Sequence, residues 1–249
     1  MAGHSQFKNI MVRKGAQDKK RGKIFTKIIR EIMVAAKSGA PEIQKNPKLR
    51  AAVMKARAEN MPKDKIEAAI AKGAGLGEGE NYEAVRYEGY GAAGVAVIVE
   101  ALTDNRNRTA AEMRSAFLKY GGSLGETGSV GFMFEHVGLM EYPAAQILEE
   151  AMLDAAIEAG AENVETADGR HTITTALSSF AAVRDALAQR FGDPLSAKLI
   201  WRAKISAPAA GEEAKKILAL IEALEDHDDV QEVFTNIEIS ADELQKLSA

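Results

Sequence analysis

The period of the hydrophobic pattern changes once along the chain, from residue 85. Before that point it is helical. Ile24, Phe25, Ile28, Ile29, Ile32 and Met33 make one apolar stripe, which predicts a helix from Arg21 that Gly39 and Pro41 stop. Asn46-Pro47 reads as a cap with proline at the first helical position. A second helix then runs through Leu49, Val53 and Ala56, with Lys48, Arg50, Lys55 and Arg57 around it. A third starts at Asn60 and Pro62, buries Ile66, Ala69 and Ile70, and ends at Gly73. Three such helices can share one core while presenting lysines outward. Residues 1–20 have no clean period and read as a basic arm or short helix. The glycine-rich stretch 73–80 reads as a linker, because no strand precedes it and it lacks Gly-Lys-Ser/Thr.

From residue 85 short β-type runs alternate with helices. Gly94–Leu102 predicts a buried strand. Thr109-Ala-Ala-Glu112 has the form of a capping box opening a helix over Met113, Ala116, Phe117 and Tyr120. Val130, Phe132 and Phe134 alternate as a strand, Gly138 breaks it, and Leu139–Tyr142 forms the next. Pro143 opens a helix ending at Gly160. Strands at Asn163–Thr166 and His171–Leu177 flank Asp168-Gly169, a hairpin signal. A helix over Phe180–Phe191, an alternating run Lys198–Ile205, a helix Glu212–Glu225 and a strand Val230–Ile239 complete the chain.

The order predicts an α+β protein. A basic three-helix domain spans 1–75, and two small ferredoxin-like, split βαβ domains follow. One is discontinuous, 82–142 plus 209–240, and the other, 143–208, is inserted in it.

Charge adds a second division to this picture. Residues 1–72 carry 18 Lys+Arg and 6 Asp+Glu, whereas 73–249 carry 14 and 30. A block this basic attracts polyanions, and the acidic remainder keeps the chain dispersed. Phosphate contacts are expected from Lys8, Arg13, Lys14, Lys19, Lys20, Arg21, Lys23, Lys27 and Arg30. Two further arginines, Arg106 and Arg108, stand between a buried strand and a helix start. Two readings stand for that turn: an anion site at helix N–H groups, or local pairing with acids.

Catalytic chemistry finds little support. There is no cysteine, hence no disulfide, thiolate nucleophile or zinc–thiolate site. The four histidines fall in separate segments, none at the spacing of a metal-binding helix. The acid cluster Leu224–Val230 lacks the alternating ligands of a calcium loop and reads as a solvated turn. Gly122, Gly125, Gly128 and Gly131 lead into a strand and read as a shaped loop. No catalytic residue, metal, cofactor or small-molecule substrate is expected. A metal-dependent phosphoester enzyme would rest on the acid cluster and the Arg106/Arg108 turn alone. No apolar run reaches a membrane span, and the first residues lack the apolar core of a secretory signal, so the chain is expected in the cytoplasm.

Motifs spread over the whole chain resemble the YebC/PmpR family. They are Met1–Ser5, Asp18–Lys27 with Arg30-Glu-Ile, Asn46–Arg50, Asn60–Ile66 and Lys72–Gly75. Further along they are Tyr87–Gly91, Leu102–Thr109, Gly121–Gly125, Gly128–Val130 and Leu224–Gln231. Phe7, Val12 and Ala92 depart from the Trp, His and Pro frequent in that family. The resemblance implies a helical first domain, two α+β domains and a non-enzymatic regulator of gene expression. In the family's label it is a probable DNA-binding transcriptional regulatory protein. Relatives resembling mitochondrial translational activators, and a link to the ribosome, imply the alternative of a translation factor binding ribosomal or transfer RNA.

Overall fold

A computed structural model describes residues 17–75 and 81–248. The side chains of residues 17–21 and 248 are outside that description, as is the expected arm before residue 17 and the linker from 76 to 80. The described chain is α+β, with a helical region ahead of two antiparallel sheets.

Helices α1 (Gln17–Ser38), α2 (Pro47–Ala58) and α3 (Lys63–Gly73) form the head. Ile28, Ile32, Met33, Leu49, Val53 and Ile66 bury together at its centre, so the apolar stripes do what their spacing predicts. Ile24 is the exception and lies at the surface. Gly73 permits the tight packing of α3 on α1, because a Cβ there would stand 2.5 Å from the Met33 carbonyl oxygen. Buried Asn46 joins α1 to α2. Its Oδ1 accepts from Leu49 N at 3.0 Å, and its Nδ2 donates to the Ala35 and Ala40 carbonyls at 2.7 and 2.9 Å. Asn46→Ala removes the cap and the amide donor to the Ala35 and Ala40 carbonyls. It should cost about 2 kcal/mol or more in urea unfolding, and a loss below about 0.5 kcal/mol would contradict this role.

Strands β1 (Glu83–Tyr90) and β2 (Ala96–Thr103) form a hairpin with Glu83 opposite Thr103 and Tyr90 opposite Ala96. Helix α4 (Arg106–Lys119) and β3 (Ser123–Leu124) follow. Next come β4 (Phe134–Pro143), α5 (Glu149–Ala159), β5 (Asn163–Ala167), β6 (Arg170–Ala176), α6 (Phe180–Phe191) and β7 (Ser196–Ala203). The chain ends with β8 (Ala207–Pro208), α7 (Gly211–Glu225), β9 (Val230–Thr235), β10 (Ile237–Glu238) and α8 (Ala241–Ser248). Two compact units result. One holds the chain up to Phe134 and from Ala203 onward, and the other holds Glu135–Arg202.

In the first unit the sheet order is β3-β1-β2-β9. β1 is antiparallel to both β2 and β3, so β2, α4 and β3 form a split βαβ with β1 between its strands. β9, from the far end of the chain, pairs antiparallel with β2. α4 and α7 cover this sheet through Met113, Phe117, Ile217, Leu220 and Leu224, packed against Val97, Val99, Val230 and Val233. The second unit runs β4-α5-β5-β6-α6-β7, with sheet order β5-β6-β4-β7, the split βαβ arrangement. Asp168 (φ 51°) and Gly169 (φ 74°) turn its hairpin, as their pairing predicts.

Local expectations need correcting at several points, the first being β1 (Glu83–Tyr90), which no expected strand covers. α4 starts at Arg106 with Asn105 as its cap, and Thr109 is buried within the helix instead of capping it. A 3₁₀ turn, Gly131–Met133, replaces the strand expected there. β4 runs through Gly138 and Pro143, so α5 begins only at Glu149. Gly138 does not break the strand because its bare Cα makes room for Phe180, whose ring would lie 2.2 Å from a Cβ. The last strand is interrupted at Asn236, whose Oδ1 accepts from Ala96 N (2.8 Å) while its Nδ2 donates to Ile205 O (3.0 Å).

Candidate nucleic-acid interface

The basic residues divide into those the fold consumes and those it leaves outward. Lys23, Lys27 and Arg30, at helical spacings of four and three, share one side of α1. That side meets the C-terminal end of α7. Lys23 Nζ donates to Asp226 O at 2.9 Å and lies 3.4 Å from its carboxylate. Lys27 Nζ donates to Glu225 O at 2.6 Å. Arg30 donates to Asp228 O, and at 3.1 Å to the Asp229 carboxylate. A helix C-terminus has unpaired carbonyls and the negative end of the dipole, and cations satisfy both. Burial lowers the Lys27 pKa below the usual lysine value, against the opposing charges of Glu225 and Asp226.

Asp229 is the centre of this junction and is 2% exposed. Arg108 and Thr109 each donate to its Oδ2 at 2.7 Å, and Arg30 holds Oδ1. Burial alone would raise its carboxyl. The hydrogen bonds from Arg108 and Thr109, with the charges of Arg108 and Arg30, more than reverse this and hold it below the ordinary range. The same contacts raise the Arg108 guanidinium pKa.

Arg108 also binds Asp104 at 2.9 Å, so local pairing describes it. Asn105 Oδ1 accepts from Arg108 N at 3.1 Å, which uses one of the helix N–H groups an anion would need. Arg106 points outward, 64% exposed, 3.7 Å from Glu83. Lys19, Lys20 and Arg21 fall on the first turns of α1 with their side chains outside the described residues, and Lys8, Arg13 and Lys14 are outside them altogether.

Sequence reading did not assign Lys48, Arg57, Lys65 or Lys72. All four are exposed on α2 and α3 and make no ion pair among the described residues. Their position off the apolar stripes was the available signal. Nearby cations are not equivalent. Lys55 pairs with Glu31 at 2.7 Å; burial would lower its pKa, but Glu31 and Glu232 outweigh that and raise it.

Glu112, His227 and Asp229 have ligand atoms within 4.8 Å of one another, a spacing that a cation would accept. Each is already used. His227 Nδ1 accepts from Asp229 N at 3.1 Å, which puts the proton on Nε2, and Nε2 donates to Glu112 at 2.8 Å. The donor set fits a helix-to-strand turn locked by hydrogen bonds.

The glycine-rich loop after α4 is shaped by a residue of β1. Glu88, 1% exposed, accepts from Val130 N and Gly131 N at 3.0 and 2.9 Å. Its carbonyl accepts from Gly125 N at 2.8 Å, and Tyr90 Oη donates to Ser129 O at 3.1 Å. Glu88→Ala should raise amide exchange across residues 125–131 by about tenfold or more while sparing the head, since two buried N–H groups lose their acceptor. Unchanged exchange there would contradict the clamp.

A three-helix head joined to split βαβ sheets defines a class of multidomain α+β protein. Residues 5–76 match the TACO1/YebC protein N-terminal domain, and residues 82–237 match the TACO1/YebC second and third domain, a family model with the short name Transcrip_reg. The chain belongs to the TACO1/YebC family. A solved relative is a conserved hypothetical protein, Aq1575, from Aquifex aeolicus. It is 45% identical with a TM-score of 0.81, over 90% of this chain and 92% of that one. Among the described residues no helix is long and apolar enough to cross a membrane.

Proposed function

We propose that the chain is a non-enzymatic, cytoplasmic regulator of gene expression that grips nucleic acid through its phosphates. The observation that carries this reading is the division of the head's cations. Lys23, Lys27 and Arg30 are spent on the acidic turn, while Lys48, Arg57, Lys65 and Lys72 face outward unpaired among the described residues. Phosphate contacts supply affinity that falls steeply with salt. The name of the matched family model favours DNA and transcription.

A second reading, a ribosome-associated translation factor, is favoured by the composition of the outward surfaces of α2 and α3. They offer lysine, arginine, alanine, aspartate and glutamate, with no asparagine or glutamine to read adenine edges. Structured RNA is recognised by shape and backbone, which suits such a surface. Co-sedimentation with ribosomal particles at ~150 mM salt, against excess random DNA duplex, separates the two. Retention on particles supports the translational reading. Loss from particles with a ~1000-fold preference for one duplex supports the transcriptional one.

A further inference from the structure

Helix α5 in the second unit carries a face that the fold does not use. Met152, Ala155 and Ala156 are its buried residues and fill one side. At 100° per residue, Leu153 and Ile157 fall one turn apart, roughly 130° round from the centre of that side. They are 42% and 64% exposed. Glu149 flanks this pair on one side, and Glu150, Asp154 and Glu158 form a row on the other. The 11-residue helix has no lysine or arginine.

This arrangement works against the isolated helix. Glu150 with Asp154, and Asp154 with Glu158, are like charges at i,i+4, which repel. The dipole favours acids in the first turn, which accounts for Glu149 and Glu150 and not for the other two. Glu158 is near one cation, Arg190 at 3.6 Å, and both groups are more than half exposed. The whole unit, Glu135–Arg202, is acidic, with 5 Lys+Arg and 11 Asp+Glu. Adjacent aliphatic side chains rimmed by four carboxylates, with one exposed arginine near Glu158, match a ligand with apolar anchors and cationic flanks.

We propose that this face of α5 docks a cationic amphipathic helix of a partner protein. The partner's apolar residues, one turn apart, seat on Leu153 and Ile157, and lysines or arginines on either side meet Glu149 and the Glu150/Asp154/Glu158 row. The carboxylates repel nucleic acid, so this contact is separate from the basic head and independent of the function proposed above.

The test uses the full chain and a synthetic peptide of about 18 residues, with leucines at i, i+3, i+4 and i+7 and lysines elsewhere. A scrambled peptide of the same composition is the control. Anisotropy titrations should show the patterned peptide binding at least about tenfold more tightly than the scrambled one. Leu153→Ser with Ile157→Ser, and separately Asp154→Lys with Glu158→Lys, should each remove that difference. Thermal unfolding of the variants confirms that these exposed substitutions leave the fold intact. Equal binding of the two peptides, or unchanged binding by both variants, overturns the proposal. A concentration-dependent dimer that the α5 variants abolish would assign the face to a second copy of this chain and overturn it too, as would competition by a DNA duplex.

Discussion

Replacing Asp229 with alanine should destabilise the first unit by about 2–3 kcal/mol, less than a wholly buried ion pair costs when broken from one side, because Arg108 is 43% exposed. The substitution removes the buried carboxylate shared by Arg30, Arg108 and Thr109, leaving Arg30 with the Asp228 carbonyl, Arg108 with Asp104 and Thr109 with the Asn105 carbonyl. It also removes the point where α1, α4 and the turn before β9 meet. Asp229→Asn keeps the size and one acceptor and should cost less. The carboxyl titrates lower in the folded chain than in the unfolded one. Its contribution is therefore fully present above the unfolded value of about 3.9, and is lost as pH falls through the folded value. Urea midpoints of the native chain should fall as the pH drops below about 4, and the Asp229→Asn variant should lose part of that dependence. Identical acid profiles would show that the junction carries no such weight.

The second large effect separates the two sets of cations. Reversing Lys48, Arg57, Lys65 and Lys72 to Glu should lower the log–log salt slope of nucleic-acid binding by about 3, at ~0.7–0.9 for each phosphate no longer neutralised. These side chains are exposed, so the melting temperature should hold within a few degrees. Lys23→Ala, Lys27→Ala and Arg30→Ala together should do the opposite. Stability should fall because α7 loses the donors on its last carbonyls, while the salt slope changes little. Anisotropy titrations and thermal melts on the same two variants check both halves. A slope change in the second variant comparable with the first would return α1 to the contact surface.

Much of the fold was legible because its signals are local. The apolar stripe of α1, the Asn46-Pro47 start of α2 and the Asp168-Gly169 hairpin each depend on neighbours within one or two turns. What escaped depends on residues far apart in the chain. Asn105 rather than Thr109 caps α4 because Thr109 is drawn inward, to Thr103 at 2.7 Å and to Asp229, 120 positions away. Neither strand β1 nor the role of Glu88 was anticipated, because the Glu88 side chain is used only by the loop at 130–131, 42 and 43 positions on. The same holds for the site. Lys23, Lys27 and Arg30 have the composition of a phosphate-binding row, and only the position of α7 shows that backbone carbonyls and Asp229 occupy them. Charge per segment indicated the class of partner but not which lysines remain available to it.

Whether outward cations of the head hold nucleic acid by its phosphates is measured most directly by salt dependence. The measurement is affinity for two unrelated DNA duplexes and one structured RNA between ~50 and 300 mM salt. Steep, near-parallel log–log lines are expected for the two duplexes, within about tenfold of each other, with a smaller slope when Lys48, Arg57, Lys65 and Lys72 are reversed. A slope near zero, or a slope that reversing Lys48, Arg57, Lys65 and Lys72 leaves unchanged, would contradict a phosphate grip by the head.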